Sequence, residues 1–322
     1  MSILVTGGLG FIGLKVVLQL LKRGIPTIVT DLDIDKNKNR LKKNLKQHNV
    51  SEDLINYQKL DITNINNLEE IFKSNKIDSV INLAYGIGTV CENNPLLASK
   101  INIVGTTSMF EMIVKYRIRR LIFASSETVY GANQSYFGSR PVNENDFSGI
   151  DNQHFTYGVM KLLNEFMAEK YIKKHGCSIA YTRPSVVFGY GRQNTSINWA
   201  EDFAAKPALG QSAYLPFSKE NRDNWIYVDD CAEQLVRLAL KETLNYSCYN
   251  TGSQTVDGNE IETTVKKFIP DAKIYFEKNT YTPLIDDQDD QRIRKEIDFN
   301  PRTFEEGVKC LIDDAREFNN IG

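Results

Sequence analysis

The chain has 322 residues, 41% apolar and 25% charged, enough for one large α/β domain with a smaller lobe and a balance normal for a folded soluble protein. Its 39 basic and 41 acidic residues leave a net charge of −2, which gives no electrostatic footprint for nucleic acid or an anionic membrane. Five scattered cysteines without C-x-x-C spacing and three histidines without ligand spacing point to reduced thiols and no metal site. No run of 18 apolar residues marks a membrane span, and a first strand starting at about residue 2 leaves no room for a signal peptide. A cytoplasmic protein is expected.

In chain order, hydrophobic patterning predicts strands near 2–6, 27–30, 55–60, 79–83, 120–125 and 178–183. Helices are predicted near 11–23, 36–48, 65–75, 95–117 and 156–175. This alternation means βαβ units, hence a doubly wound parallel sheet with helices on both faces. Beyond Pro184 the pattern turns irregular, with loop-rich stretches at 189–224 and 253–260. Residues 1–184 are read as a dinucleotide-binding domain, and 185–322 mainly as a substrate lobe from which some segments return to the sheet. Ligands in such folds bind at the carboxyl ends of the strands, where the lobe would close over them.

The first strand runs straight into Gly7, Gly10 and Gly13 and then a helix. Gly7 permits the tight turn, Gly10 lets backbone N–H groups approach a pyrophosphate, and Gly13 lets the helix pack close to the strand. The phosphates would sit at a helix N-terminus, where unpaired N–H groups favour negative charge. The helix carries apolar Ile12, Val16, Val17, Leu20 and Leu21 at helical spacing and stops at Gly24, with Pro26 just beyond. The second strand ends in Asp31, 18 residues after Gly13, where a ribose would lie. A carboxylate there accepts from both ribose hydroxyls and repels a 2′-phosphate, and no arginine follows it directly, so NAD is expected rather than NADP. Asp33 and Asp35 read as a solvated loop. Asp61 either reaches an adenine edge or forms the turn that ends its strand.

Tyr157 and Lys161 stand four apart in a predicted helix and so share one face. A free tyrosine titrates near about 10, and a neighbouring ammonium favours its phenolate, which would make the phenol a usable base. The strand Arg120–Ala124 leads into Ser125 and Ser126 at the ligand edge, and Ser126 could hold a substrate hydroxyl for Tyr157.

With these pieces in place the chain resembles an extended short-chain dehydrogenase/reductase of the NAD-dependent epimerase/dehydratase type. The likeness runs nearly end to end: Thr6 to Gly13, Asp31, Asp61-Ile62, Asn82-Leu83-Ala84, Asn102 with Gly105-Thr106, Ser125 to Gly131, Tyr157 to Lys161 and Arg183-Pro184. Phe188-Gly189, Arg222-Asp223, Tyr227 to Asp230, Asn300-Pro301-Arg302 and Glu306-Gly307 follow. The resemblance implies a catalytic set of Ser126, Tyr157 and Lys161, with Tyr157 as base and Lys161 also on the nicotinamide ribose. It implies NAD contacts at Gly7, Gly10, Phe11, Ile12, Gly13, Asp31, Asp61, Ile62, Leu83 and Ala84, together with Tyr157 and Lys161. It also implies a homodimer built on helices 95–117 and 156–175, whose Met109, Met112, Ile113, Leu162, Leu163, Phe166 and Met167 equally suit packing on the sheet.

Departures bear on the substrate. Dehydratases of this kind place Asp-Glu after the catalytic hydroxyl residue; here stand Glu127 and Thr128, the latter matching epimerases. Glu127 either touches substrate or is an exposed residue after a strand. Val186 replaces an Asn that contacts a diphosphate, and Asn279–Pro283 supplies no second arginine. Arg192 and Arg222 are candidate anion contacts, each with a surface salt bridge as the plain alternative. Tyr85 stands where a small residue is usual and would narrow the pocket, while Ser125 is a further candidate for substrate contact. The leading expectation is a sugar or nucleotide-sugar epimerase working by transient oxidation of a secondary alcohol. The alternatives are a dehydrogenase or reductase of a smaller hydroxy or carbonyl compound, and a non-catalytic dinucleotide sensor.

Overall fold

A computed structural model of the chain describes residues 2–192, 197–278 and 284–320. The first half alternates strand and helix. It runs β1 (Ser2–Thr6), α1 (Phe11–Lys22), β2 (Thr27–Asp31), α2 (Ile34–Gln47), β3 (Ile55–Lys59), α3 (Ile65–Ser74) and β4 (Ile77–Asn82). Two short helices, α4 (Thr89–Asn93) and α5 (Pro95–Ser99), lead through a π-helical turn (Lys100–Gly105) into α6 (Thr106–Lys115). The predicted single helix 95–117 is thus an α–π–α run. Next come β5 (Arg120–Ala124), a 3₁₀ turn (Glu127–Tyr130), α7 (Thr156–His175) and β6 (Ile179–Pro184). The remainder is β7 (Val186–Phe188), α8 (Trp199–Ala208), β8 (Ala213–Leu215), β9 (Arg222–Tyr227), α9 (Val228–Leu240), β10 (Cys248–Thr251), β11 (Gln254–Asp257), α10 (Gly258–Phe268), β12 (Ile274–Phe276), α11 (Gln291–Ile297) and α12 (Phe304–Phe318).

Seven parallel strands form the main sheet in the order β10-β6-β5-β4-β1-β2-β3. The order reverses between β1 and β4, which opens the crevice where such folds bind ligands. Side chains alternate across the pleat. Ile3 and Val5 pack with α1, α2, α9 and α11, while Leu4 packs on the other face with α3, α6 and α7. The buried runs in β1, β2 and β5 are what a sheet covered on both faces demands.

After Pro184 the chain leaves the sheet, and α9 and β10 bring it back: β10 pairs with β6, and α9 joins the core layer of α1. The lobe is a mixed sheet β11-β9-β7, packed by α8, α10 and α12 around Phe188, Phe203, Trp225 and Phe304. Among the described residues no helix is long and apolar enough to cross a membrane, and no three His, Cys, Asp or Glu side chains gather where a metal could sit.

Candidate active site

The nucleotide half of the site is backbone built by glycine. Gly7 has φ +61°, and a Cβ there would lie 2.9 Å from the Leu83 carbonyl. At Gly13 a Cβ would stand 2.2 Å from the Gly7 carbonyl oxygen, so only hydrogen lets α1 start this close to β1. A Cβ on Gly10 would meet only the Gly7 oxygen, at 3.1 Å, so the turn is open beside it, and Gly10 is the N-cap of α1, whose first N–H groups lack partners within the helix. Phe11 and Ile12 are half-buried beside it.

Asp31, at the end of β2, accepts from the N–H groups of Leu9 (3.2 Å) and Leu32 (2.9 Å). Burial raises its pKa against these bonds. Asp33 is no loop residue: it caps α2, accepting from Lys36 N–H at 3.1 Å, and Asp35 pairs with Lys38 at 2.6 Å. Asp61 uses Oδ1 for the N–H and hydroxyl of Thr63 at 2.9 and 2.7 Å, which closes the turn after β3; Ile62 beside it is core. Thr6 and Asn82 are register partners across β1 and β4, joined at 2.5 Å, and Leu83 and Ala84 present their N–H groups to the Thr6 hydroxyl. An open, glycine-floored helix N-terminus beside a strand-end carboxylate fits the pyrophosphate and ribose of a dinucleotide.

Tyr157 and Lys161 lie in the first two turns of α7. The Ser126 side chain is near enough to the Tyr157 phenol to favour its ionised form, and its Oγ accepts from Thr128 N–H at 3.2 Å, capping the 3₁₀ turn. Burial pushes the phenol's pKa up; Ser126 and the Arg192 charge oppose this. Lys161 is 3% exposed, donates to the Ala124 carbonyl at 2.5 Å, and is pulled down to about 7 by burial. A hydroxyl, a phenol and an ammonium thus converge at the ligand edge of the sheet, a set that can move a proton to or from a substrate hydroxyl.

The other candidates divide. Tyr85 is in the site, with its ring under the Lys161 ammonium and edge-to-face with Tyr157. Glu127 is buried rather than exposed, with its pKa raised by burial and by Asp223, and it is near enough to Tyr157 to act on the phenol electrostatically. Thr128 Oγ1 is buried and meets no partner among the described residues. Arg192 packs over the Phe11 ring at 5.0 Å and donates to the Val187 carbonyl. Its charge also reaches Tyr157. Ser125 turns away from the site: its hydroxyl donates to Glu165, which holds Arg183 through two further bonds of 3.0 and 2.6 Å. Arg222 is exposed, and its charge acts on Asp286. Val186 is core of the lobe, and Asn279–Pro283 lies outside the described residues.

Asn102 and Asp223 entered the sequence analysis only as pieces of the resemblance, with no role, and Asn164 did not enter it. Asn102 clamps Gly86 through both backbone groups (2.7 and 3.0 Å), and Asn164 donates to the Tyr85 hydroxyl at 3.1 Å. Asn164 lies three positions after Lys161, and a polar residue at that spacing inside an otherwise packed helix was the available signal. Nothing local marks Asp223 as the neighbour of Glu127.

A family model described as the NAD dependent epimerase/dehydratase family matches residues 3–252. The UDP-glucose 4-epimerase of Yersinia enterocolitica is 30% identical over 272 residues, 79% of this chain and 78% of that protein. That of Bacillus subtilis is 30% identical over 289 residues, covering 83% and 81%. The solved UDP-glucose 4-epimerase of Thermotoga maritima, with UDP-glucose, matches with a TM-score of 0.83 at 23% identity over 99% of this chain and 100% of that one. The L-threonine dehydrogenase of Clostridium difficile also gives 0.83, at 20% identity over 100% and 99%. One backbone carries both kinds of enzyme.

Proposed function

Because the chain belongs to the NAD-dependent epimerase/dehydratase family, an enzyme family whose cofactor is NAD, we propose that it is an epimerase acting on a secondary alcohol of a sugar or nucleotide-sugar. The observation that carries this reading is the convergence of Ser126, Tyr157 and Lys161. Two epimerases at 30% identity over about four-fifths of the chain support the substrate class. Gly7, Gly10 and Gly13 would receive the pyrophosphate, Asp31 the adenosine ribose, and Lys161 the nicotinamide ribose. Bound NAD supplies hydride acceptance and donation. Tyr157 Oη takes the proton from the substrate hydroxyl and later gives it back, while Ser126 Oγ holds the same oxygen. The orphan Thr128 hydroxyl is free to bond substrate. Burial and the neighbouring Asp223 raise the Glu127 carboxyl well above its ordinary value, which favours the form that donates a hydrogen bond.

One observation favours the second reading, a dehydrogenase of a smaller hydroxy compound: Val186 is 1% exposed in the lobe core and offers nothing to a diphosphate. Purified protein incubated with UDP-glucose, other nucleotide-sugars and small hydroxy compounds distinguishes the two. The epimerase reading expects a sugar epimer without net NADH, and a Tyr157→Phe variant slower by about 10²–10⁴-fold. Stoichiometric NADH from a small hydroxy acid, or full turnover by Tyr157→Phe, overturns it.

Assembly as a homodimer belongs to the same reading. Met109, Met112 and Ile113 are spent on the sheet core, but Leu96, Leu97, Val104, Leu163 and Phe166 stay exposed on the neighbouring helices.

A further inference from the structure

Tyr85 lies in the loop between β4 and α4, and its ring is fixed from several sides. Asn102 holds the next residue, Gly86, by both its N–H and its carbonyl, and Asn164 donates to the Tyr85 hydroxyl. The Lys161 ammonium sits 3.3 Å from the centre of this ring, while Tyr157 meets the same ring at 90°, with centroids 5.7 Å apart.

We propose that Tyr85 is a positioning residue for the catalytic pair: its π face carries the Lys161 ammonium, keeping that charge in place beside Tyr157. This rests on Tyr157 and Lys161 being the proton-transfer pair.

The surroundings of the ammonium leave it few other supports. From β5 it has the Ala124 carbonyl. From α7 it faces Tyr157, whose ring centre is 5.5 Å away, and Glu165, whose carboxylate is already held by Arg183 and Ser125. From α4 it faces Cys91, a thiol kept neutral by burial. Tyr85 itself is kept un-ionised by burial, so it offers a quadrupole and no charge. Around Tyr157 stand Ser126, Arg192 and the buried Glu127. Among the described residues no carboxylate is dedicated to the lysine. Burial would neutralise it near pH 7, and a desolvated aromatic face opposes that neutralisation without adding an anion that would repel a phenolate.

The test reads the lysine directly and needs no turnover, so it stands apart from the success or failure of the epimerase assignment. Cofactor-free wild type, Tyr85→Phe and Tyr85→Leu are exposed to trace acetic anhydride from mildly acidic to alkaline pH, and acetylation of Lys161 is quantified by mass spectrometry. The Tyr85→Leu midpoint is expected to fall by about one pH unit, tenfold in the ratio of ammonium to amine, while Tyr85→Phe keeps the wild-type midpoint. Coincident midpoints for wild type and Tyr85→Leu overturn the proposal. So does a Tyr85→Phe midpoint displaced as far as that of Tyr85→Leu, since the Asn164 bond would then be the agent. If Tyr85→Leu does not fold, Tyr85→pentafluorophenylalanine keeps the ring's shape while reversing its quadrupole. Its midpoint must fall, and an unshifted one refutes the π contact.

Discussion

Lys161, 3% exposed and donating to one carbonyl, is held against its own desolvation. Its folded-state pKa, about 7, lies below the 10.5 of an unfolded lysine. Between those values the unfolded chain binds the extra proton, so this group adds stability as pH rises from about 7 towards 10.5, and its charged form costs stability below that window. Lys161→Met removes the cost. Thermal unfolding of the cofactor-free protein is expected to show this variant gaining most over wild type at pH 6 and least near pH 10.5; a difference independent of pH would refute the assignment. The adjacent serines show how much of this scale is readable from sequence. Both were visible as hydroxyls at the end of β5, but only the fold sends Ser125 to Glu165 and Ser126 to Tyr157. Glu127 makes the same point, since burial of a charged residue is decided by what the lobe brings against it, here Asp223.

The element that was most legible is the β1–turn–α1 unit, because glycine is required wherever a side chain would collide. A Gly13→Ala methyl would lie 2.2 Å from the Gly7 oxygen, a rigid backbone atom, so α1 must shift. Gly13→Ala should lose about 1–3 kcal/mol in denaturant melts, with NAD affinity falling about tenfold for each 1.4 kcal/mol carried into the binding turn. An unchanged melt and undiminished binding in a calorimeter would show that the turn yields freely. The run from Pro95 to Lys115 was less legible. Its apolar spacing reads as one helix, yet Asn102 lies in a π-helical turn, where its side chain reaches Gly86 and so sets the loop that carries Tyr85. A single π-helical turn is short and rare, and it shifts the phase of the apolar spacing too little for the pattern to separate it from one continuous helix. By contrast, α7 keeps its predicted span and delivers Tyr157, Lys161, Asn164 and Glu165 to the centre of the molecule.

Across the whole molecule, apolar surface left over after folding bears on assembly. Phe166 is 57% exposed and Leu96 69% exposed, on the outward sides of α7 and α5. A second copy covering them is expected to be lost in Phe166→Glu, with the mass by light scattering falling to that of a monomer; a wild-type protein already monomeric at micromolar concentration would remove the basis for the dimer. The amino-acid sequence by itself determined the doubly wound sheet, the glycine turn and Asp31, and the Tyr157–Lys161 face, because each follows from near-neighbour rules: strand and helix periods, steric exclusion at a turn, and the i, i+4 face of a helix. Only the tertiary structure decided that β10 closes the sheet beside β6, that Glu127 is buried with Asp223, and that Tyr85 lies under Lys161. Those depend on segments many tens of residues apart meeting in space, and on the water excluded where they meet, neither of which any local pattern encodes.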